Sequence, residues 1–186
     1  MNRRNFLARG TAAVAGALGA VSAPALLAAS KPEATTRIRI IYSLHGEKQD
    51  RPDWPNKGFD FGPVMDRINR ELTRRCRHFE FVPTLAAGEE QARKILAEDN
   101  AAGGIDGYLI YQMNCWNRVI QPIAASGKPV LYADFQYGGS GGFLVYNAAL
   151  LRNQARNVGF VASSNLRDLV EAVECFATVK QTGGDF

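Results

Sequence analysis

The sequence is poor in the residues that build disulfide frameworks and zinc centres. Its 186 residues include three cysteines, Cys76, Cys115 and Cys175. No two of them are spaced C-x-x-C, so neither a zinc site nor a thioredoxin-type motif is indicated. The odd number excludes a framework in which every cysteine is paired. One disulfide remains open as an alternative, and buried free thiols are the simpler interpretation.

The standard phosphate-binding motifs are absent as well. Neither a P-loop pattern nor a Gly-x-Gly-x-x-Gly sequence after the first predicted strand occurs. The one glycine-rich stretch is DFQYGGSGGF, residues 134–143, which lies between a strand-like run and a helical one. We expect it to be a mobile loop that closes on a ligand or a partner rather than a phosphate cradle.

Residues 31–186, the part of the chain that is expected to fold, have no large excess of positive or negative charge. Three of the 22 basic residues and none of the 18 acidic ones lie within residues 1–30, so the remainder carries 19 against 18. The basic run at 70–78 lies on a predicted helix and is interpreted as a solvated face. Nucleic-acid binding is therefore not expected.

The first thirty residues have the layout of an export signal. Arg3 and Arg4 precede Phe6 and Leu7, and a stretch of small apolar residues follows. This order is typical of a twin-arginine signal that is cleaved after translocation. A membrane anchor is the alternative, but the stretch is rich in Ala and Gly and contains Pro24, which makes a weak spanning helix. We expect a periplasmic or extracellular protein that uses the twin-arginine machinery and keeps no stable membrane span.

Residues 31–186 are predicted to form one α/β domain. β-branched and aromatic runs alternate with helical patterns. The predicted strands are 37–46, 78–86, 105–114, 128–135 and 157–164. The predicted helices are 63–76, 88–104, 116–127, 143–155 and 165–180, the last capped by Ser164 or Asn165. Alternating strands and helices predict a three-layer, doubly wound parallel five-stranded sheet, Rossmann-like or flavodoxin-like. We predict the strand order 2-1-3-4-5, with 3-2-1-4-5 as the alternative.

Ligands of such sheets bind at the carboxyl ends of the strands, where the winding direction changes. Several polar and aromatic side chains are predicted to reach that edge. Amides form paired hydrogen bonds with hydroxyl groups, and aromatic faces stack on C–H surfaces, so this set suits a sugar. The predicted lining is His45, Gln112, Asn114, Trp116, Asp134 and Tyr137. For the amides, capping of the following helix is the competing interpretation.

The stretch IDGYLIYQMNCWNRVIQPIAASGKPVLYADF, residues 105–135, resembles the amino-terminal domain of the L-fucose and L-arabinose isomerase superfamily. The likeness extends over most of 37–180. It implies a domain that packs against other subunits and forms the rim of a neighbour's sugar site. Aldose–ketose isomerisation in that family uses a divalent metal, usually manganese. Its ligands lie in later domains, so the resemblance transfers no metal ligand and no cofactor to this chain, and complete catalysis is not expected of it.

Two other functions fit the pattern. The first is a small hydrolase with Cys115 as nucleophile, His45 as base and Asp134 as the group that orients the histidine. The second is one lobe of a periplasmic solute-binding protein, which normally needs a second lobe. A homo-oligomer is compatible with each of the three.

Overall fold

The structure is a computed structural model that describes residues 35–52 and 54–182. The predicted export signal lies outside the described residues. Within the described part, no helix combines the length and the apolar character needed to cross a membrane.

Five β-strands alternate with five α-helices along the chain, as predicted. The strands are rich in Ile, Val, Tyr and Phe, which suit a pleated and buried surface. They are β1 (Thr36–Ser43), β2 (Phe79–Ala86), β3 (Gly107–Gln112), β4 (Val130–Asp134) and β5 (Val158–Ala162). The helices between and after them are α1 (Gly62–Arg75), α2 (Glu89–Ala102), α3 (Ile120–Ala124), α4 (Ser140–Arg152) and α5 (Leu166–Thr182).

All five strands are parallel, and their order is β2-β1-β3-β4-β5. The predicted fold class and strand order are therefore confirmed. The register aligns the strand ends, because Ser43 pairs with Gln112 and Gln112 pairs with Asp134. The loops that follow β1, β3 and β4 thus leave the sheet at one level, and their first residues meet at a common edge.

Each face of the sheet carries its own hydrophobic core. On one face, Ile68 and Leu72 of α1 pack together with Leu169, Val173 and Phe176 of α5. On the other face, the core contains side chains from α2, α3 and α4. Because both faces of the sheet are covered, the central strand β3 is buried along its whole length. This is the expected environment of a parallel sheet.

Two helices differ from their predicted bounds by three residues or more, and the other three differ by one or two residues at each end. Helix α3 has five residues, Ile120–Ala124, where a helix over 116–127 is predicted. Trp116 and Arg118 have φ angles of 62° and 58°, which no right-handed helix contains, so α3 begins only after them. Helix α4 begins at Ser140, inside the glycine-rich stretch and three residues earlier than predicted. Asn165 caps α5 as predicted, because its side-chain oxygen accepts the N–H of Arg167 at 3.0 Å.

The three cysteines are free thiols. Cys76 is buried, and burial raises its pKa to about 12. Cys115 is half-buried and Cys175 is exposed. An ion pair joins β1 to α2, since Arg39 donates from Nε to Asp99 at 3.0 Å and from a terminal nitrogen to the second carboxylate oxygen. The Asp99 side chain is only 3% exposed, so this pair is an interior feature of the domain.

Candidate functional site

The change of winding direction lies between β1 and β3, which are neighbours in space but not in sequence. In doubly wound folds this point is normally an open crevice. Here it is occupied by the protein's own polar side chains. Ser43, Gln112, Asn114 and Asn117 lie at this edge and are all buried.

These side chains form one hydrogen-bonded network. Ser43 Oγ donates to Asn117 Oδ1 at 2.7 Å, and Gln112 Nε2 donates to the same oxygen at 3.0 Å. Tyr132 on β4 donates its hydroxyl to Gln112 Oε1 at 2.8 Å. Asn114 Oδ1 accepts the backbone N–H of His45 at 2.9 Å, which ties the loop after β1 to the loop after β3. The network therefore joins three strand ends at the switch point.

The predicted ligand-binding amides are part of this network. The structure leaves Gln112 and Asn114 with no exposed surface, and Gln112 also donates to the backbone oxygen of Asn114. Asn114 Nδ2 is buried without a partner among the described residues. A ligand outside the domain cannot reach either amide without displacing the loops that cover them.

The glycines of the 134–143 stretch allow the chain to lie directly on the end of β3. A Cβ atom on Gly139 would stand 1.9 Å from the carbonyl oxygen of Gln112, and one on Gly138 would stand 2.8 Å from the carbonyl oxygen of Met113. Only a hydrogen atom fits in those spaces. The expected mobile loop is therefore a tightly packed entry into α4, and its glycines are explained by close backbone approach.

An open cleft lies beside the network, on the face of the sheet covered by α1 and α5. Its volume is about 190 Å³. Side chains from two helices and from the ends of three strands line it. They are Val64, Arg67, Ile68, Tyr111, Asp134, Phe135, Gln136, Tyr137, Ser163, Ser164 and Leu166. The cleft stands at the carboxyl edge, but it is displaced from the switch point toward β4 and β5.

Asp134 is the acidic group of this cleft. Its side chain accepts hydrogen bonds from Ser140 Oγ at 3.1 and 2.8 Å. Burial raises the pKa of Asp134, and the hydrogen bond from Ser140 opposes that shift in part. Tyr111 lies in the floor, and its pKa is raised to about 12 by burial and by the charge of Asp134. The cleft thus offers one carboxyl group and one neutral phenol to a ligand.

Tyr137 stands at the mouth of the cleft in a costly conformation. Its φ angle is 70°, and its side chain is 76% exposed. A left-handed backbone costs a bulky residue about 1–2 kcal/mol, and burial of the ring does not compensate here. Trp54 lies beside it, with ring centroids 6.2 Å apart and an edge-to-face angle of 66°. Exposed aromatic rings at the mouth of a cleft are suited to stacking on a ligand.

Of the six predicted lining residues, Asp134 and Tyr137 therefore lie on the cleft. Trp116 is 66% exposed and packs edge-to-face on Tyr146 of α4, with ring centroids 6.4 Å apart, so it lies outside this cleft. His45 is half-buried and is fixed through its backbone. Arg67 and Ser164 are absent from the predicted lining. Ser164 lies two residues after the end of β5 and was predicted only as a possible cap of the last helix. Arg67 is one of several arginines in α1, so its type and position alone do not single it out.

The hydrolase arrangement needs three side chains in contact. The Cys115 thiol donates a hydrogen bond to the carbonyl oxygen of Gly138 at 3.5 Å, and the Asp134 carboxylate accepts one from Ser140. Within residues 35–52 and 54–182, no hydrogen bond joins the side chains of Cys115, His45 and Asp134.

The described residues contain no group of three or more His, Cys, Asp or Glu side chains that could hold a metal ion. The manganese chemistry of the isomerase resemblance therefore finds no fitting ligand set in this part of the chain.

A scan of protein-family models, a search of curated proteins and a search of solved structures each found no match to the sequence.

Proposed function

We propose that the chain is an exported α/β domain that binds a sugar in the cleft between the ends of β4 and β5. The observation that carries the proposal is the position of Tyr137, which is exposed at the mouth of a 190 Å³ cleft despite its left-handed backbone. Such strain is retained where the surrounding structure or the function requires it. The ring contacts Trp54 edge-to-face but remains largely exposed, so packing offsets only part of the strain.

The chemistry of the cleft supports a polyhydroxylated ligand. Tyr137 offers an aromatic face for the C–H surface of a pyranose or furanose ring. Asp134 accepts hydrogen bonds from hydroxyl groups when it is ionised, and Ser163 and Ser164 can donate or accept. The volume is enough for one ring that remains partly exposed, since full ligand pockets are about 300 Å³ or larger.

The buried network has a supporting role in this proposal. Gln112 and Asn114 do not touch the ligand. They fix the loops after β1 and β3, and through Tyr132 they fix β4, whose last residue is Asp134. A site on a rigid frame loses little conformational entropy on binding. The amides therefore act as positioning residues.

The proposal keeps the relationship to sugar isomerases as its family context. In that context the domain forms part of a sugar site, and we assign no metal-dependent isomerisation to its described residues. The twin-arginine route, the periplasmic or extracellular location and a homo-oligomeric state belong to the same proposal.

The direct test is binding of pentoses, hexoses and deoxyhexoses to the full chain by calorimetry and by thermal unfolding. A ligand that binds only the folded state raises the melting temperature. We expect at least one sugar to do so, and we expect Tyr137→Ala to weaken its affinity by about fivefold, because loss of a stacking contact costs about 1 kcal/mol.

The matched control is Phe160→Ala, which removes an exposed aromatic ring from β5 outside the cleft. It should leave sugar affinity unchanged. Equal loss in Tyr137→Ala and Phe160→Ala, or binding of no sugar by the folded wild-type chain, would refute the proposal.

A further inference from the structure

A second groove opens from the sugar cleft and shares one wall with it. Its volume is about 420 Å³. Residues from α1 and from the start of α5 line it, and three of them also line the cleft. The shared residues are Arg67, Ser164 and Leu166, and the others are Glu71, Arg75, Asn165 and Arg167. One ligand can therefore extend from the cleft into the groove past Arg67.

The groove is basic. Three arginines and one glutamate line it, and the glutamate is already neutralised. Glu71 accepts hydrogen bonds from Arg74 at 2.9 Å and from Arg75 at 2.7 Å, which lower its pKa. Arg67 and Arg167 have no carboxylate partner among the residues that the structure describes. Two guanidinium groups thus remain available to an anion.

The sequence that forms one wall of the groove also contains more basic than acidic residues. Between Asp134 and Asp168 the chain contains three arginines and no acidic residue. That segment includes β5 and the loop that forms the wall of both the cleft and the groove. Asp168 accepts a hydrogen bond from Ser163 at 2.6 Å and does not line the groove. Within the described residues, Arg167 therefore forms no ion pair with a carboxylate.

We infer that the sugar bound by this domain carries an anionic group, a carboxylate or a phosphate, which the groove receives between Arg67 and Arg167. This inference rests on the proposed function and narrows its ligand class to sugar acids and sugar phosphates. Guanidinium groups bind both anions through paired N–H···O bonds. The ring occupies the cleft beside Tyr137 and Asp134, and the charged substituent extends past the shared residue Arg67.

The test compares matched neutral and anionic ligands on the full chain at low ionic strength. The probes are glucose, galactose and mannose, their uronates, their 6-phosphates, and inorganic phosphate alone. We expect a uronate or a 6-phosphate to bind about tenfold or more tightly than its parent sugar, since hydrogen bonds to charged groups are stronger than those between neutral groups. Whether the uronates or the 6-phosphates gain affinity identifies the anion as a carboxylate or a phosphate.

Arg67→Gln should remove most of that gain in affinity over the neutral parent sugar, because the charge-assisted contact is lost. The matched control is Arg152→Gln, which deletes the same charge from α4 on the opposite face of the sheet. Arg152→Gln should preserve the preference for the anionic sugar.

Four results overturn the inference. The first is equal affinity for a sugar and its anionic derivative in the wild type, which leaves sugar binding itself intact. The second is an equal effect of Arg67→Gln and Arg152→Gln, which would mean that net charge alone attracts the anion. The third is binding of no probe by the folded chain, which refutes the proposed function as well. Inorganic phosphate that binds with no dependence on Arg67 would indicate an adventitious ion only and would also count against the groove.

Discussion

Replacing Gly139 by alanine should destabilise the domain severely, although the substitution adds one methyl group. The new Cβ would lie 1.9 Å from the carbonyl oxygen of Gln112 and 2.5 Å from its carbonyl carbon. Ordinary C···O contacts are about 3.3–3.6 Å, so the backbones must separate by more than about 1 Å. That carbonyl also accepts the N–H of Phe135 at 3.0 Å, and Gln112 ends the central, fully buried strand. Neither side of the contact can move freely.

Overpacking of an interior costs about 1–3 kcal/mol and more where the backbone itself must shift. We therefore expect Gly139→Ala to lower the free energy of unfolding by about 3 kcal/mol, a large share of the 5–15 kcal/mol typical of a domain. With a urea m-value of about 2 kcal/mol/M, the unfolding midpoint should fall by about 1.5 M. The assay is urea unfolding followed by circular dichroism at 222 nm.

Gly141→Ala is the matched control, because it lies two residues further along the same stretch. Its Cβ would meet only the sulfur of Cys115, at 3.2 Å, and the residue is exposed in the first turn of α4. The gain in helix propensity, about 1 kcal/mol, should offset that contact. An unchanged urea midpoint and slope for Gly139→Ala would refute the close-approach argument. It would return the stretch to the status of a flexible loop.

Three further predictions concern the interior and the cleft. Tyr132→Phe should cost about 1 kcal/mol in urea unfolding, because it removes the buried hydrogen bond to Gln112 Oε1, and an unchanged midpoint would mean that the network adds nothing. Asp134→Asn should raise the melting temperature at pH 7.5 and change it little at pH 3.5. Burial raises the folded-state pKa of Asp134 above its unfolded value near 3.9. Wild-type stability is therefore lost as pH rises through the folded-state pKa, whereas an asparagine cannot ionise. A difference in melting temperature between variant and wild type that does not depend on pH would contradict this prediction. Asp99→Ala should cost about 2 kcal/mol by leaving Arg39 partly buried without its carboxylate, and the double variant Arg39→Met with Asp99→Leu should recover most of the loss.

The fold could be predicted because its signals are local and repeated. Runs such as RIRIIYS at 37–43 announce strands, Pro63 and the spacing of Ile68 and Leu72 announce α1, and the alternation of the two types implies a doubly wound sheet. The position of the ligand edge follows from that topology by the same rule. These inferences need no knowledge of which distant residues touch.

The interior of the site could not be predicted, because it depends on contacts between residues far apart in sequence. Gln112 is the last residue of a strand whose other side chains are apolar or aromatic, so the sequence does not reveal which way its side chain points. Its partner Tyr132 lies 20 residues away, and Ser43 lies 69 residues away. The glycines gave a similar difficulty. In the sequence, Gly139 suggests a flexible loop. In the structure, any side chain at this position would collide with the backbone of Gln112.

The hydrogen-bonded network of buried amides and hydroxyls at the switch point also determines what a substitution at Gln112 does to this edge of the sheet. A smaller residue at position 112 would remove the hydrogen bonds that Gln112 makes to Tyr132 and Asn117, beneath the loops that cover the switch point. Those groups are already oriented, and each can donate or accept. The vacated space would therefore form a small polar cavity in which water replaces the lost side chain, while the loops still separate it from solvent.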